Sequence, residues 1–220
     1  MKAIILAAGI GSRLGRSLPK CLCELPSGET ILGRQNRLLR QYVDDVLIVV
    51  GFKKEIIMEL QPDLTFVYNP FFNKTNTASS LLLALNKIQD EDVIWVNGDV
   101  VFKEEALAKV VELSGSCVAV EYGKCGEEEI KFTEDSEGFI DQINKQVDGK
   151  GEAVGINKIA SADLETLRKA LAECGEKDYF ERGLEISYPL GVRFKPVDIG
   201  PNTCVEVDFI EDLGRAWELV

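Results

Sequence analysis

Histidine is absent from the 220 residues. That absence removes the Ser/His/Asp and Cys/His nucleophile systems and every histidine-containing metal site. Chemistry must use carboxylates, lysine, arginine, hydroxyls, thiols or a bound metal. Positive charge is also scarce: 25 Lys and Arg stand against 37 Asp and Glu, a net charge of −12. Binding DNA or RNA by counterion release needs clustered cations, so a function resting on a broad basic surface is excluded. The six cysteines form no CxxC pair, only a CxC at 21 and 23. Neither a zinc site nor a disulfide framework is indicated, and reduced thiols in a cytoplasmic protein are expected. No apolar run nears the ~20 residues of a membrane span, and the apolar start at residues 3–8 meets Gly9 without a cleavage region. A soluble, unexported protein with no membrane insertion follows.

What is present is ordinary for a packed globule, with 45% hydrophobic residues. Apolar runs at residues 2–8 (KAIILAA), 46–51 (VLIVVG), 64–68 and 93–96 fit strands buried on both faces. Helical stretches at 30–42, 53–60 and 77–88 separate them. Strand and helix in alternation imply a parallel sheet with helices on both faces. After about residue 115 the pattern changes. Strands at 117–122, 129–132, 139–143 and 153–159 are joined by short polar turns (EDSEG, VDGKG), which favours antiparallel pairing. Helices at 162–174 and about 179–186, strands at 191–197 and 204–207, and a closing helix at 208–220 complete the chain. The expectation is one α/β domain: a first half at about 1–115, an antiparallel annex at about 116–205, and the closing helix.

Residues 6–20, LAAGIGSRLGRSLPK, place a glycine-rich turn at the carboxyl end of the first strand. Ligands of open α/β sheets sit at such ends, and glycine lets backbone N–H groups approach a phosphate chain. The dinucleotide fingerprint GxGxxG fails, because its third glycine slot is Leu14 and the second strand ends in Gly51 and Phe52 instead of an acid. The P-loop pattern is missing altogether. A turn serving only chain reversal accounts for Gly9 and Gly11 but not for Arg13, Pro19 and Lys20 following so closely.

LAAGxGSRL followed by PK resembles the signature of the nucleotidyltransferases that activate sugar phosphates and small alcohol phosphates. The spacing from Arg13 to Pro19 is short compared with many sugar-activating members and compatible with the compact cytidylyltransferases, and the chain as a whole most resembles the CTP:phosphocholine type. The resemblance implies a Rossmann-like fold of the nucleotide-diphospho-sugar transferase type: a mostly parallel central sheet flanked by helices, with a small antiparallel annex. It implies that Ala8, Gly9, Gly11 and Ser12 wrap a nucleoside triphosphate, that Arg13 neutralises the leaving pyrophosphate, and that Lys20 contacts the α-phosphate. In-line attack by a phosphate monoester needs charge neutralisation and alignment more than a general base, because the acceptor oxygen is already ionised near neutral pH. Lacking histidine is then no handicap, although at −12 the site must create its own positive field.

Residues 93–99, VIWVNGD, carry Asp99 out of an apolar strand on the side of the glycine loop. A carboxylate there can meet a nucleotide-bound Mg2+, which typically takes one or two protein carboxylates. The competing role is to cap a helix beginning near Lys103. In residues 204–212, CVEVDFIED, the resemblance makes Asp208 the second metal ligand, with Glu206 on the same strand face. The competing role is a capping box of Asp208 with Glu211. Mg2+ is the one cofactor expected.

Residues 69–82, NPFFNKTNTASSLL, are similar to the corresponding stretch of CTP-dependent cytidylyltransferases, which places Asn76, Ser79 and Ser80 in the nucleotide pocket. Alternatively Thr75 or Thr77 caps the helix and the serines face solvent. By the same resemblance Lys145 binds the acceptor phosphate, where a lone lysine near a turn is otherwise solvated. Glu152, Tyr179, Phe180, Glu181 and Tyr188 offer carboxylates and aromatic faces suited to an ammonium group, or simply pack the annex. The expected activity is Mg2+-dependent joining of CTP to a small phosphorylated alcohol, such as phosphocholine, phosphoethanolamine, a phosphonate or inositol phosphate. The products are a CDP-activated compound and pyrophosphate. Two alternatives stand beside it: a sugar-1-phosphate nucleotidyltransferase using UTP, dTTP or GTP, and a non-catalytic nucleotide-sensing module. An exposed annex edge permits a homo-oligomer.

Overall fold

A computed structural model of the chain describes residues 1–11 and 18–220. At its centre β1 (Lys2–Ala7), β2 (Val46–Val50) and β4 (Val93–Asn97) are buried almost throughout, while β3 (Thr65–Tyr68) lies at an edge with only Val67 fully enclosed. Burial on both faces is why the first three read as unbroken apolar runs. All four pair in parallel in the order β3-β2-β1-β4. The connections carry α1 (Ile31–Leu39), α2 (Lys54–Leu60) and α3 (Thr77–Leu85). Strand order reverses at β1, with β2 on one side and β4 on the other, so a crevice opens beyond the carboxyl ends of β1 and β4.

The antiparallel strands of the second half extend this same sheet. β6 (Cys117–Tyr122) and β4 both pair antiparallel with β9 (Gly151–Ile159), and β10 (Lys195–Asp198) lies parallel to β6 at the far edge. β7 (Lys131–Glu134) and β8 (Ile140–Asn144) form a hairpin whose first strand also pairs with the start of β9. The strand expected at 191–197 is shorter and later, because Gly191 takes φ +100° at the end of a 3-10 turn and Val192 N bonds back to Ser187 O, so the extended run begins only at Lys195. β5 (Val100–Phe102) was not anticipated. It forms a separate antiparallel ribbon with β11 (Cys204–Glu206), followed by α4 (Glu104–Glu112).

Alternation along each strand divides the core. Ile5, Ile48 and Val96 face α1 and α4; Ile4, Val49 and Trp95 face α3, α5 (Leu164–Ala172) and α6 (Phe180–Ser187). Trp95 meets Phe180 edge to face, with centroids 5.6 Å apart, and fixes α6 against β4. Truncating either ring to alanine costs roughly 3–5 kcal/mol. A third cluster, Val101, Val207, Leu213 and Ala216, docks α7 (Ile210–Leu219) on the β5/β11 ribbon. Among the described residues no helix is long and apolar enough to cross a membrane, and the six cysteines are free thiols.

Candidate active site

The crevice beyond β1 and β4 is a cleft of about 700 Å³, closed laterally by the start of α3, the first residues of β9 and the junction of β11 with α7. Ala8, Gly9 and Gly11 line it; Ser12 and Arg13 lie outside the described residues. Gly11 has φ +63°, and a Cβ there would stand 2.6 Å from Lys20 Cγ. A side chain at 11 would therefore collide with the stem that carries the Lys20 ammonium into the cleft. Gly98 serves close approach instead: its N–H donates to Leu6 O at 2.9 Å, and a Cβ would lie 2.8 Å from that oxygen.

Three carboxylates converge on this point. Asp99 from the β4–β5 turn, Glu206 at the end of β11 and Asp208 before α7 each offer an oxygen within 4.8 Å of the others. Lys20 Nζ lies 3.4 Å from Asp99 Oδ2 and donates a short hydrogen bond to Asp208 Oδ1. Enclosure by protein would lower the Lys20 ammonium, but the charges and hydrogen bonds of Asp99 and Asp208 outweigh it and hold the lysine above its ordinary value. Enclosure and the nearby charge of Asp208 raise Asp99, against the pull of Lys20. Glu206 is exposed at the end of β11, yet the protein crowded around its carboxyl, with Asp99 and Asp208, pushes it up to about 8. A crowded set of hard oxygen donors fits a divalent cation such as Mg2+.

Neither helix-capping role holds for the two aspartates. β5 separates Asp99 from α4, whose N-cap position is Lys103. At α7 the carboxylate that accepts from the backbone N–H groups of Asp208 and Phe209, at 2.9 and 2.7 Å, belongs to Asp212 and not to Glu211. The Asp208 carboxylate is thereby left to face Lys20. Arg215, one turn along α7, donates to Asp212 at 2.6 Å and brings a further cation to the cleft. Its only mark in the sequence is the i, i+3 spacing from Asp212, which any solvated helix shares.

On the nucleotide side the expectations divide. Asn76 lines the cleft and caps α3, accepting from Thr77 N at 2.9 Å, so neither Thr75 nor Thr77 is the cap. Thr77 Oγ1 instead accepts from Phe180 N and ties α3 to α6. Ser80 reaches the cleft but is buried, and its hydroxyl accepts from Asn69 Nδ2 at 3.0 Å. Asn69, which the sequence marks as a strand end without giving it a role, also donates to Thr75 and accepts from Phe71 N, so it braces the whole 69–76 loop. Ser79 is not brought to the cleft. It sits one residue, about 100° of helix, away from Ser80.

On the acceptor side Lys145, Glu152, Tyr179 and Glu181 all line the cleft. Lys145 Nζ is 3.1 Å from Glu128 and 5.8 Å from the Tyr179 ring centre. Glu181 is 7% exposed, and its Oε2 has no hydrogen-bond partner among the described residues; burial pushes the carboxyl up to about 7. Burial together with Glu129 and Glu121 raises Glu152 to about 7. Tyr188 does not join them. It packs on Phe194 in the core, with its hydroxyl buried. Phe180 also lines the cleft, with its ring held edge to face against Trp95.

Comparison with known proteins agrees with this geometry. Residues 3–186 match the MobA-like NTP transferase domain. CTP:phosphoglutamine cytidylyltransferase of Campylobacter jejuni is 25% identical over 249 aligned residues, covering 97% of this chain and 98% of that protein. CMP-5'-(3-aminopropyl)phosphonate synthase of Streptomyces rubellomurinus is 33% identical over 119 residues, 50% of this chain and 19% of the relative. The matched segment spans about a fifth to a quarter of the first curated relatives. Among solved structures, the CTP:phosphocholine cytidylyltransferase LicC of Streptococcus pneumoniae superposes with TM-score 0.84 at 21% identity, covering 99% and 98% of the two chains. The inositol-1-phosphate CTP transferase of T. maritima gives 0.85 at 20%, covering 99% and 94%. These two likenesses establish the fold. With residues 3–186 accounted for, the chain belongs to the MobA-like NTP transferase family, and its domain is that of a nucleotidyltransferase.

Proposed function

We propose that this chain is a Mg2+-dependent cytidylyltransferase that joins CTP to a small phosphorylated or phosphonate acceptor. The observation that carries the reading is the convergence of Lys20 with Asp99, Glu206 and Asp208 at the mouth of the glycine loop. Asp99 and Asp208, with Glu206 beside them, would hold the metal, which when bound supplies charge neutralisation for the phosphates. The backbone of residues 8–11 cradles the triphosphate, and Lys20 swings from its carboxylates to the α-phosphate. Arg13 is assigned to the leaving pyrophosphate by its place in the motif. An ionised acceptor oxygen attacks the α-phosphorus. The bond from that phosphorus to the bridging oxygen breaks, and pyrophosphate leaves without a general base.

Lys145 is assigned to the acceptor phosphate, with Glu152, Tyr179 and Glu181 around its organic part. A carboxylate wall beside an aromatic face favours an acceptor bearing an ammonium group over a sugar. The relatives named for aminopropylphosphonate, phosphoglutamine and phosphocholine support a phosphorus-bearing acceptor and CTP. The test is pyrophosphate release with CTP, UTP, dTTP and GTP, each against phosphocholine, phosphoethanolamine, aminoalkylphosphonates, inositol phosphate and sugar 1-phosphates. Release with CTP and an amine-bearing acceptor is expected. Preference for a purine nucleotide, or for a sugar phosphate, would reverse the assignment, and no release from folded protein with Mg2+ would point to a sensing module.

A further inference from the structure

α1 passes beneath the turn that joins β4 to β5, and one of its side chains reaches into that turn. Gln35, 2% exposed, uses Nε2 to donate to Asn97 O at 2.8 Å and to Val100 O at 2.7 Å. These carbonyls stand on either side of Gly98 and Asp99. A single amide nitrogen therefore closes both ends of the two-residue segment that presents Asp99. The orientation is fixed by chemistry, since turning the amide over would set its oxygen against two carbonyl oxygens. The remaining fastenings are Gly98 N to Leu6 O and Val207 N to Asp99 O, both 2.9 Å. They fix the turn to β1 and to the segment before Asp208, and Gln35 fixes its shape.

Packing alone does not explain a glutamine here. Gln35 Oε1 is buried without a hydrogen-bond partner among the described residues, and a buried amide half unsatisfied is worse for stability than a hydrocarbon of the same shape. Arg34, its neighbour, donates to Phe102 O at the far end of β5. α1 thus carries successive side chains that hold the backbone around Asp99. We infer that Gln35 is a positioning residue for Asp99: by clamping Asn97 O and Val100 O it sets the Asp99 carboxylate where it shares one divalent cation with Asp208 and Glu206. Mg2+ demands near-ideal octahedral distances, so a slack turn weakens the site even with all ligands present. This inference rests on reading Asp99 as a metal ligand.

The experiment is a Mn2+ titration of the full chain without nucleotide, read from the free-ion EPR signal, for wild type, Gln35→Met and Gln35→Glu. Methionine keeps the volume and removes both donors; a buried, protonated glutamic acid keeps one. Outer-shell changes of this kind weaken metal binding by about 10–100-fold. Mn2+ binding is expected to weaken at least about tenfold in Gln35→Met and by an intermediate factor in Gln35→Glu, with kcat falling and the KM for CTP within about twofold of wild type. Leu164→Ala, on the buried face of α5, serves as control and should lower Tm without changing Mn2+ affinity. Mn2+ affinity and kcat within about twofold of wild type in folded Gln35→Met would overturn the inference. Should Gln35→Met fail to fold, Gln35→Glu decides alone by the same criterion. A wild-type chain that binds no Mn2+ would overturn the metal-ligand reading itself, and the inference with it.

Discussion

Replacing Lys20 by methionine separates the two partners the acidic cluster can take. In the structure the lysine ammonium stands 3.4 Å from Asp99 and bonds to Asp208, where a divalent cation would also bind. At an effective dielectric near 20, the gross attraction to Asp99 is about 5 kcal/mol. Most of that is offset by desolvation, since the lysine is largely buried, and solvent screens the carboxylates, which keep 24% and 26% exposure. A net contribution of about 1–3 kcal/mol remains. Methionine retains the stem that passes Gly11, so the loss is one of charge. Without metal, Lys20→Met should melt lower by about 2–4 °C per kcal/mol. Added Mn2+ should recover that loss, and Mn2+ alone should bind the variant more tightly than wild type, because the competing cation is gone. Turnover should be lost even at saturating metal. Differential scanning calorimetry with and without MnCl2, paired with Mn2+ titration calorimetry, measures both. Equal melting temperatures and equal Mn2+ affinities in the two proteins would refute the idea that Lys20 and the metal share these carboxylates.

Asp99→Asn and Asp208→Asn should each lower the rate of pyrophosphate release by orders of magnitude, since a metal supplies several kcal/mol of charge stabilisation, while lowering the metal-free Tm no further than Lys20→Met does; near-normal rates would remove them as ligands. Gly11→Ala should slow turnover at least about tenfold, because its Cβ would displace the Lys20 stem and strain a positive φ; unchanged kinetics would mean the loop accommodates the methyl. Glu181 holds its proton up to about pH 7 when folded, against 4.5 for its ordinary value. The folded chain therefore binds the proton more tightly than the unfolded one, and the residue costs stability as pH rises from about 4.5 to 7, by up to about 3 kcal/mol. Glu181→Gln should melt above wild type at pH 8, with the difference shrinking below pH 5, and should raise the KM of an amine-bearing acceptor; a Tm difference independent of pH would contradict the burial argument. Lys145→Ala should raise the acceptor KM and leave that of CTP alone, and the reverse pattern would place Lys145 in the nucleotide half.

The parts of the site legible in the sequence are those written in local pattern. An apolar run ending in glycines marked β1 and its loop, an apolar strand running into an acid marked Asp99, and the likeness of the closing motif marked Asp208. What pairs with what was harder. β5 is three residues long and finds its partner β11 about a hundred residues later, so no local period announces it. Ser79 and Ser80 are indistinguishable in sequence, and only the helix phase set by Ala78 and Leu81 in the core turns one towards the cleft. Tyr188 offered the same aromatic face as Tyr179, but a contact with Phe194 drew it inside. Gln35 and Asp212 act on backbone groups distant in sequence or around a helix end, and a polar residue on an amphipathic helix gives no sign of which carbonyl or N–H it will meet.

The most direct measurement is anomalous diffraction from crystals grown with Mn2+ and a CTP analogue whose α,β-bridge cannot be cleaved. A manganese peak shared by Asp99 and Asp208, with the triphosphate along residues 8–11 and Lys20 Nζ moved onto the α-phosphate, is the expected result. A nucleotide bound elsewhere, or a manganese ion that leaves both aspartates with Lys20 still seated between them, would contradict it.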